Sequence, residues 1–139
     1  MRLLLGILII FLLGCNNNSN IDTTQTLETL NKSQIIQTAL DYKGLQPYWF
    51  PNYPGREILY ITGSDIPSDL DVVWNNQPTQ ILTSDIDNNT NLLLVKEISV
   101  IEDSAHLIIL YQPLNAYADL FFKKKDDQWI IDSSFVCQL

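Results

Sequence analysis

The second half of the chain consists of long apolar runs, with polar residues gathered at their ends. Four runs are rich in β-branched and aromatic residues and are predicted to be strands: Leu92 to Ile101, Ala105 to Gln112, Ala116 to Lys124 and Trp129 to Val136. Only three or four residues separate one run from the next. Because such short connections join antiparallel neighbours, we predict a four-stranded carboxy-terminal meander.

The first half contains one amphipathic helix. Four apolar residues share a face at helical spacing: Ile35, Ile36, Ala39 and Leu40. Asn31 and Gln34 have the spacing of a capping box, which predicts that the helix begins there, and Gly44 is suited to end it. The apolar face needs a sheet to cover. We therefore predict an α+β fold in which this amino-terminal helix packs on a curved antiparallel sheet.

The segment between the helix and the meander is less regular. Residues 44–56 hold three prolines, two glycines and four aromatic residues. The prolines exclude a central strand and predict a loop whose rings cover an edge of the core. Three short strands are expected next: Glu57 to Thr62, Asp71 to Trp74 and Thr79 to Thr83. Asn75 and Asn76 are expected to form a tight turn between the last two.

The amino terminus has a different pattern, an apolar run of eleven residues (3–13) that stops just before Cys15. As a helix the run would span about 16 Å, against roughly 30 Å for a bilayer core, so it is typical of a signal peptide. Leu12-Leu13-Gly14-Cys15 resembles the lipobox of bacterial lipoproteins. The resemblance implies cleavage before Cys15, a diacylglycerol thioether on its sulfur and acylation of its amine.

Three segments follow from that resemblance. Residues 1–14 are a signal peptide, residues 15–26 are the lipidated cysteine with a flexible polar tether, and residues 27–139 are a single α+β domain. The mature protein is expected in the bacterial cell envelope, attached to a membrane by its lipid. In a cell with two membranes, Asn16 in place of aspartate after the cysteine favours the outer membrane.

The stretch AHLIILYQPLNAYADLFFKKKDDQWIIDSSF (105–135) resembles the closing strands of cystatin-like and nuclear-transport-factor-2-like domains in small bacterial lipoproteins. In those domains a long strand ends in basic residues, and a tight turn and a Trp-apolar-apolar strand follow. One substantial helix favours the cystatin-like variant. The resemblance also implies two alternative functions, a small pocket enzyme that uses aspartate and tyrosine, or an inhibitor or immunity protein.

Charge and cysteine content limit the partners. The net charge is −8, which repels phosphate backbones and anionic lipid, so we predict no nucleic-acid partner and membrane attachment through Cys15 alone. Once Cys15 is acylated, Cys137 has no partner for a disulfide within the chain. Period-two alternation puts Cys137 on one face with Trp129, Ile131 and Phe135, so we predict an inert core thiol.

Residue types that carry catalysis are sparse. His106 is the single histidine, which excludes nearly every zinc site. Asp85 to Asn89 begins like a calcium loop, but Thr90 and Lys96 stand where that loop needs glycine and glutamate. Three aspartates of residues 65–71 share a loop without a fixed common face, and the sequence has no glycine-rich phosphate loop and no nucleophile elbow. We expect no catalytic residue, no metal site and no cofactor.

Two features favour binding instead. Trp49, Phe50, Tyr53 and Arg56 bring rings and a cation into a loop stiffened by proline, and these residue types are enriched at binding hot spots. A lid over the domain's own core is the alternative for this loop. The predicted strand Ala105 to Gln112 also has a second face that is largely apolar, formed by His106, Ile108 and Leu110. The loop, a protein partner or a second copy should cover that face. We therefore predict a membrane-anchored binding module rather than an enzyme.

Overall fold

The computed structural model describes residues 20–82 and 91–139, with side chains from residue 27 onwards. The predicted signal peptide, Cys15 and the calcium-like segment Asp85 to Asn89 lie outside the described residues. The described part has one main helix and a mostly antiparallel sheet. The predicted α+β class is therefore confirmed.

The main helix, α1, extends from Asn20 to Leu40. Its predicted start at Asn31 was wrong, and residues 20–26 of the predicted tether belong to the helix. The residues just before Asn31 include neither proline nor glycine, so nothing local stops the helix from extending. Asn31 is an interior residue, and its side-chain oxygen accepts a hydrogen bond from the indole N–H of Trp129 at 3.3 Å.

The predicted apolar face of α1 is confirmed, because its four residues are at most 3% exposed: Ile35, Ile36, Ala39 and Leu40. The helix ends at Leu40 rather than at Gly44. Gly44 has a packing role, since a Cβ there would lie only 2.5 Å from the ring of Tyr42. The chain then turns into a short helix, α2 (Gln46–Trp49), inside the proline-rich loop.

Eight strands lie in the described residues, four short and four long. The short ones are β1 (Tyr60–Thr62), β2 (Val73–Trp74), β3 (Gln77–Pro78) and β4 (Gln80–Ile81). The long ones are β5 (Leu92–Ile101), β6 (Ser104–Tyr111), β7 (Ala116–Lys125) and β8 (Gln128–Gln138). A 3₁₀ turn, Gln112–Leu114, connects β6 to β7. The long strands match the four predicted runs closely.

The main sheet has the order β4-β1-β5-β6-β7-β8, and its last four strands form the predicted antiparallel meander. Strand β1 lies between β4 and β5 and is parallel to both. Strands β2 and β3 form a separate hairpin. Its turn residues, Asn75 and Asn76, have φ of 48° and 60°, which confirms the predicted tight turn.

The core lies between α1 and one face of the sheet, and we call that side of the sheet the inner face. It includes buried residues of the three central long strands, such as Leu93, Leu107 and Leu120, each 0% exposed. Two β-bulges interrupt the pairing, one beside Lys96 in β5 and one beside Asp132 in β8. Each bulge adds one residue to its strand, so the side chains beyond it change faces.

Candidate functional site

Trp49, predicted to be part of a contact surface, is a core residue. It is 2% exposed, and its indole N–H donates a hydrogen bond to the Leu40 carbonyl at 2.9 Å. Its ring meets Trp74 and Tyr111 edge-on, with centroids 5.5 and 4.9 Å away. The prediction of a contact role for Trp49 is therefore wrong. The one-turn helix α2 directs this ring inward, where it contacts the Leu40 carbonyl and the rings of Trp74 and Tyr111.

Tyr111 carries the polar end of this aromatic cluster into the core. Its side chain is 0% exposed, and its hydroxyl donates a hydrogen bond to Asn91 Oδ1 at 2.6 Å. The Asn91 amide donates in turn to the carbonyls of Arg56 and Ile58, at 3.3 and 3.0 Å. Burial raises the pKa of Tyr111 to about 12, although the Arg56 guanidinium opposes the rise. The phenol thus faces an amide and a cation, and its burial outweighs the cation and keeps the phenol neutral.

Phe50, Tyr53 and Arg56 have different positions in the loop. Phe50 and Tyr53 are 55% and 63% exposed. Phe50 also has φ 39°, a left-handed conformation that is unusual for a bulky residue. The half-buried Arg56 lies over the ring of Tyr53 at 5.0 Å and over that of Tyr111 at 5.7 Å. Arg56 therefore joins the loop to the core, and two exposed rings are left for contact with another molecule.

The sheet face opposite α1, which we call the outer face, is mostly apolar over its four long strands. Pairing aligns its side chains in four rows across β5, β6, β7 and β8. Nine apolar side chains of these rows are half-buried or exposed: Leu94, Ile101, Ile108, Leu110, Tyr117, Phe121, Ile130, Phe135 and Cys137. Both described α-helices pack on the inner side, through Ile36 and Trp49 among others. The apolar second face predicted for β6 is thus present and continues over its neighbours.

His106 lies in the middle of the outer face between two carboxylates. Its Nε2 is 2.7 Å from Asp119 Oδ1 on β7, and its Nδ1 is 3.2 Å from Glu97 Oε1 on β5. The ring stacks on Phe121 with centroids 4.3 Å apart. Sequence inspection treated His106 as an isolated strand residue. The short turns of the β5–β6 and β6–β7 hairpins could have predicted this cluster, because turn length fixes the register that brings Glu97, His106 and Asp119 together.

Cys137 belongs to the outer face, so its predicted place in the core was wrong. The bulge beside Asp132 moves every later residue of β8 to the opposite face. Val136 therefore packs on the core, opposite Ala118, and Cys137 pairs with Tyr117 on the outer face. The thiol is free and partly exposed. The prediction was wrong because it continued the period-two alternation of β8 through the bulge at Asp132.

The aspartates of residues 65–71 attach their loop to α1. Lys32 donates a hydrogen bond to the carbonyl of Asp65 at 3.0 Å, and the N–H of Asp71 donates to the hydroxyl of Ser33 at 3.1 Å. A threonine of α1 donates to the carboxylate of Asp69 at 3.3 Å. A groove of about 430 Å³ remains beside these contacts. Asp65 and Asp71 thus bind the helix through backbone atoms, and Asp69 binds it through its carboxylate.

In the part of the chain that the structure describes, no group of three or more His, Cys, Asp or Glu residues could hold a metal ion. The helices of residues 20–82 and 91–139 include none long and apolar enough to cross a membrane. No family model, curated protein or solved structure matches the chain.

Proposed function

We propose that the chain is a lipid-anchored binding module of the bacterial cell envelope, attached at Cys15, whose outer sheet face binds a partner. The observation that supports this proposal is the composition of the outer face. A two-layer domain with helices on one side has polar residues on the free side of its sheet. Here that side is apolar and accessible among the described residues, and such patches mark interaction sites.

The anchor is supported by the sequence Leu12-Leu13-Gly14-Cys15 and by the polar residues directly after it. Two or more acyl chains bind a bilayer durably where a single chain does not. Asn16 favours the outer membrane in a cell that has two. One main helix against a bulged antiparallel sheet supports a cystatin-like domain, and an inhibitor or immunity protein would be one form of the same binding function.

Phe50 and Tyr53 form a second, smaller contact candidate at the end of the proline-rich loop. Both rings are exposed, and Arg56 holds the ring of Tyr53 in place. Pre-ordered rings lose little conformational entropy when they bind. These two residues retain part of the contact role predicted for the loop.

Photocrosslinking in living cells tests the proposal. A benzophenone amino acid is introduced at Phe135 on the outer face, at Phe50 in the loop or at the exposed Gln34 of α1 as a control. Each variant is irradiated in its native membrane. Position 135 should give a discrete crosslinked product that the control position lacks. Equal crosslinking at positions 135 and 34 would remove the outer face as the binding surface, and a product only at position 50 would move the site to the loop.

A further inference from the structure

The charges on the outer face are unbalanced. Glu97 and Asp119 are 53% and 30% exposed, and among the described side chains His106 alone lies within ion-pair distance of them. Lys123, on the same face, pairs with Asp132 at 2.9 Å instead. Two carboxylates share one imidazole, so the cluster has a net negative charge whether or not the ring is protonated.

A partner that covers this face without supplying a cation would remove two carboxylates from water at a high energetic cost. A lysine or arginine placed beside Glu97 and Asp119 would offset that cost and form charge-assisted hydrogen bonds. Apolar side chains of the partner would at the same time cover Ile108, Phe121 and Phe135. The chemistry of the face therefore fits an apolar surface that carries basic residues.

The size of the face limits the shape of that surface. Three strand spacings of about 4.8 Å and three pleat repeats of about 6.8 Å give a rectangle of roughly 14 by 20 Å between side-chain centres. With the side chains included, the face covers roughly 600 Å², below the roughly 800 Å² per partner of a standard protein interface. An α-helix about 10–12 Å wide and about 14 residues long would span the length of about 20 Å and most of the width of about 14 Å.

A second copy of the chain fits less well. Pairing the outer face with itself would bring four carboxylates and two histidines into one interface, between chains that each carry a net charge of −8. We infer that the partner presents a cationic amphipathic helix to the outer face, and that Glu97 and Asp119 bind its lysine or arginine. This inference rests on the binding function proposed above and adds the chemistry of the partner.

A synthetic probe tests the inference directly. The probe is a fluorescent peptide of about 14 residues in which leucine and lysine alternate with the period of an amphipathic helix. The full chain is reconstituted in phosphatidylcholine nanodiscs, empty nanodiscs measure lipid background, and fluorescence anisotropy gives the Kd. The double variant E97Q/D119N should weaken binding at least about tenfold. The double variant E102Q/D103N removes the same charge from the exposed β5–β6 turn and should change the Kd less than about twofold.

Two further measurements separate this inference from the binding function itself. Phe135→Ser changes a side chain that is 60% exposed, so it should weaken peptide binding while thermal melting stays unchanged. If Phe135→Ser weakens binding but E97Q/D119N does not, the outer face stands as a binding surface and the cationic helix is overturned. If neither Phe135→Ser nor E97Q/D119N weakens peptide binding, both the binding function and the cationic helix are overturned. The inference would also be overturned if a peptide with glutamate in place of every lysine bound equally well. A dimer of the full chain that the peptide does not disrupt would overturn it too.

Discussion

Replacing Trp49 with alanine should lower the free energy of unfolding by about 4 kcal/mol. Removal of a buried tryptophan costs about 3–5 kcal/mol, because apolar area is lost and a cavity remains. The edge-on contacts with Trp74 and Tyr111 disappear as well. The Leu40 carbonyl keeps a hydrogen bond from Gln46 at 3.1 Å, so no buried acceptor is left without a donor. A loss of about 4 kcal/mol is a large part of the roughly 5–15 kcal/mol that stabilises a typical domain.

Urea denaturation followed by circular dichroism measures this loss without depending on tryptophan fluorescence. With a slope of about 1–3 kcal/mol per molar urea, the midpoint should fall by at least about 1 M. Phe50→Ala is the matched control, because it changes the adjacent but 55% exposed ring and should cost less than about 1 kcal/mol. An unchanged midpoint for Trp49→Ala, or an equal shift for both variants, would refute the assignment of Trp49 to the core.

Three other predictions concern single groups. Cys15→Ser should abolish lipidation and release the protein from membranes. An unmodified Cys15 at the mature amino terminus of the wild-type protein, found by mass spectrometry, would contradict this. Cys137 should react with a maleimide in the native protein, whereas labelling only after denaturation would return it to the core. The free energy of unfolding should fall as pH rises from 10 toward 12, because Tyr111 ionises at lower pH in the unfolded chain. Tyr111→Phe should remove up to about 2–3 kcal/mol of that fall in alkaline denaturation curves.

The parts of the fold that could be predicted are those with local signals. The meander strands are apolar runs joined by short turns, and both the runs and the turns are visible in the sequence. The parallel pairing of β1 with β4 and β5 was not predicted, because β1 and β4 are only three and two residues long and the partners of β1 are distant in the chain. The start of α1 was missed for a related reason. Asn31 looks like a cap locally, but its side chain binds Trp129 from the other end of the domain.

The bulge in β8 explains why the candidate site was the least predictable part. Without the extra residue at Asp132, Phe135 and Cys137 would point into the core, and the outer face would lose two of its apolar side chains. With it, Phe135 reaches the outer face, where it lies opposite Asp119 and 6.5 Å from the ring of Tyr117. One inserted residue therefore extends the outer face across β8. Period-two alternation assumes that a strand contains no inserted residue. The sequence pattern therefore predicted an apolar second face on β6 and missed its extension to β8 at the sheet edge.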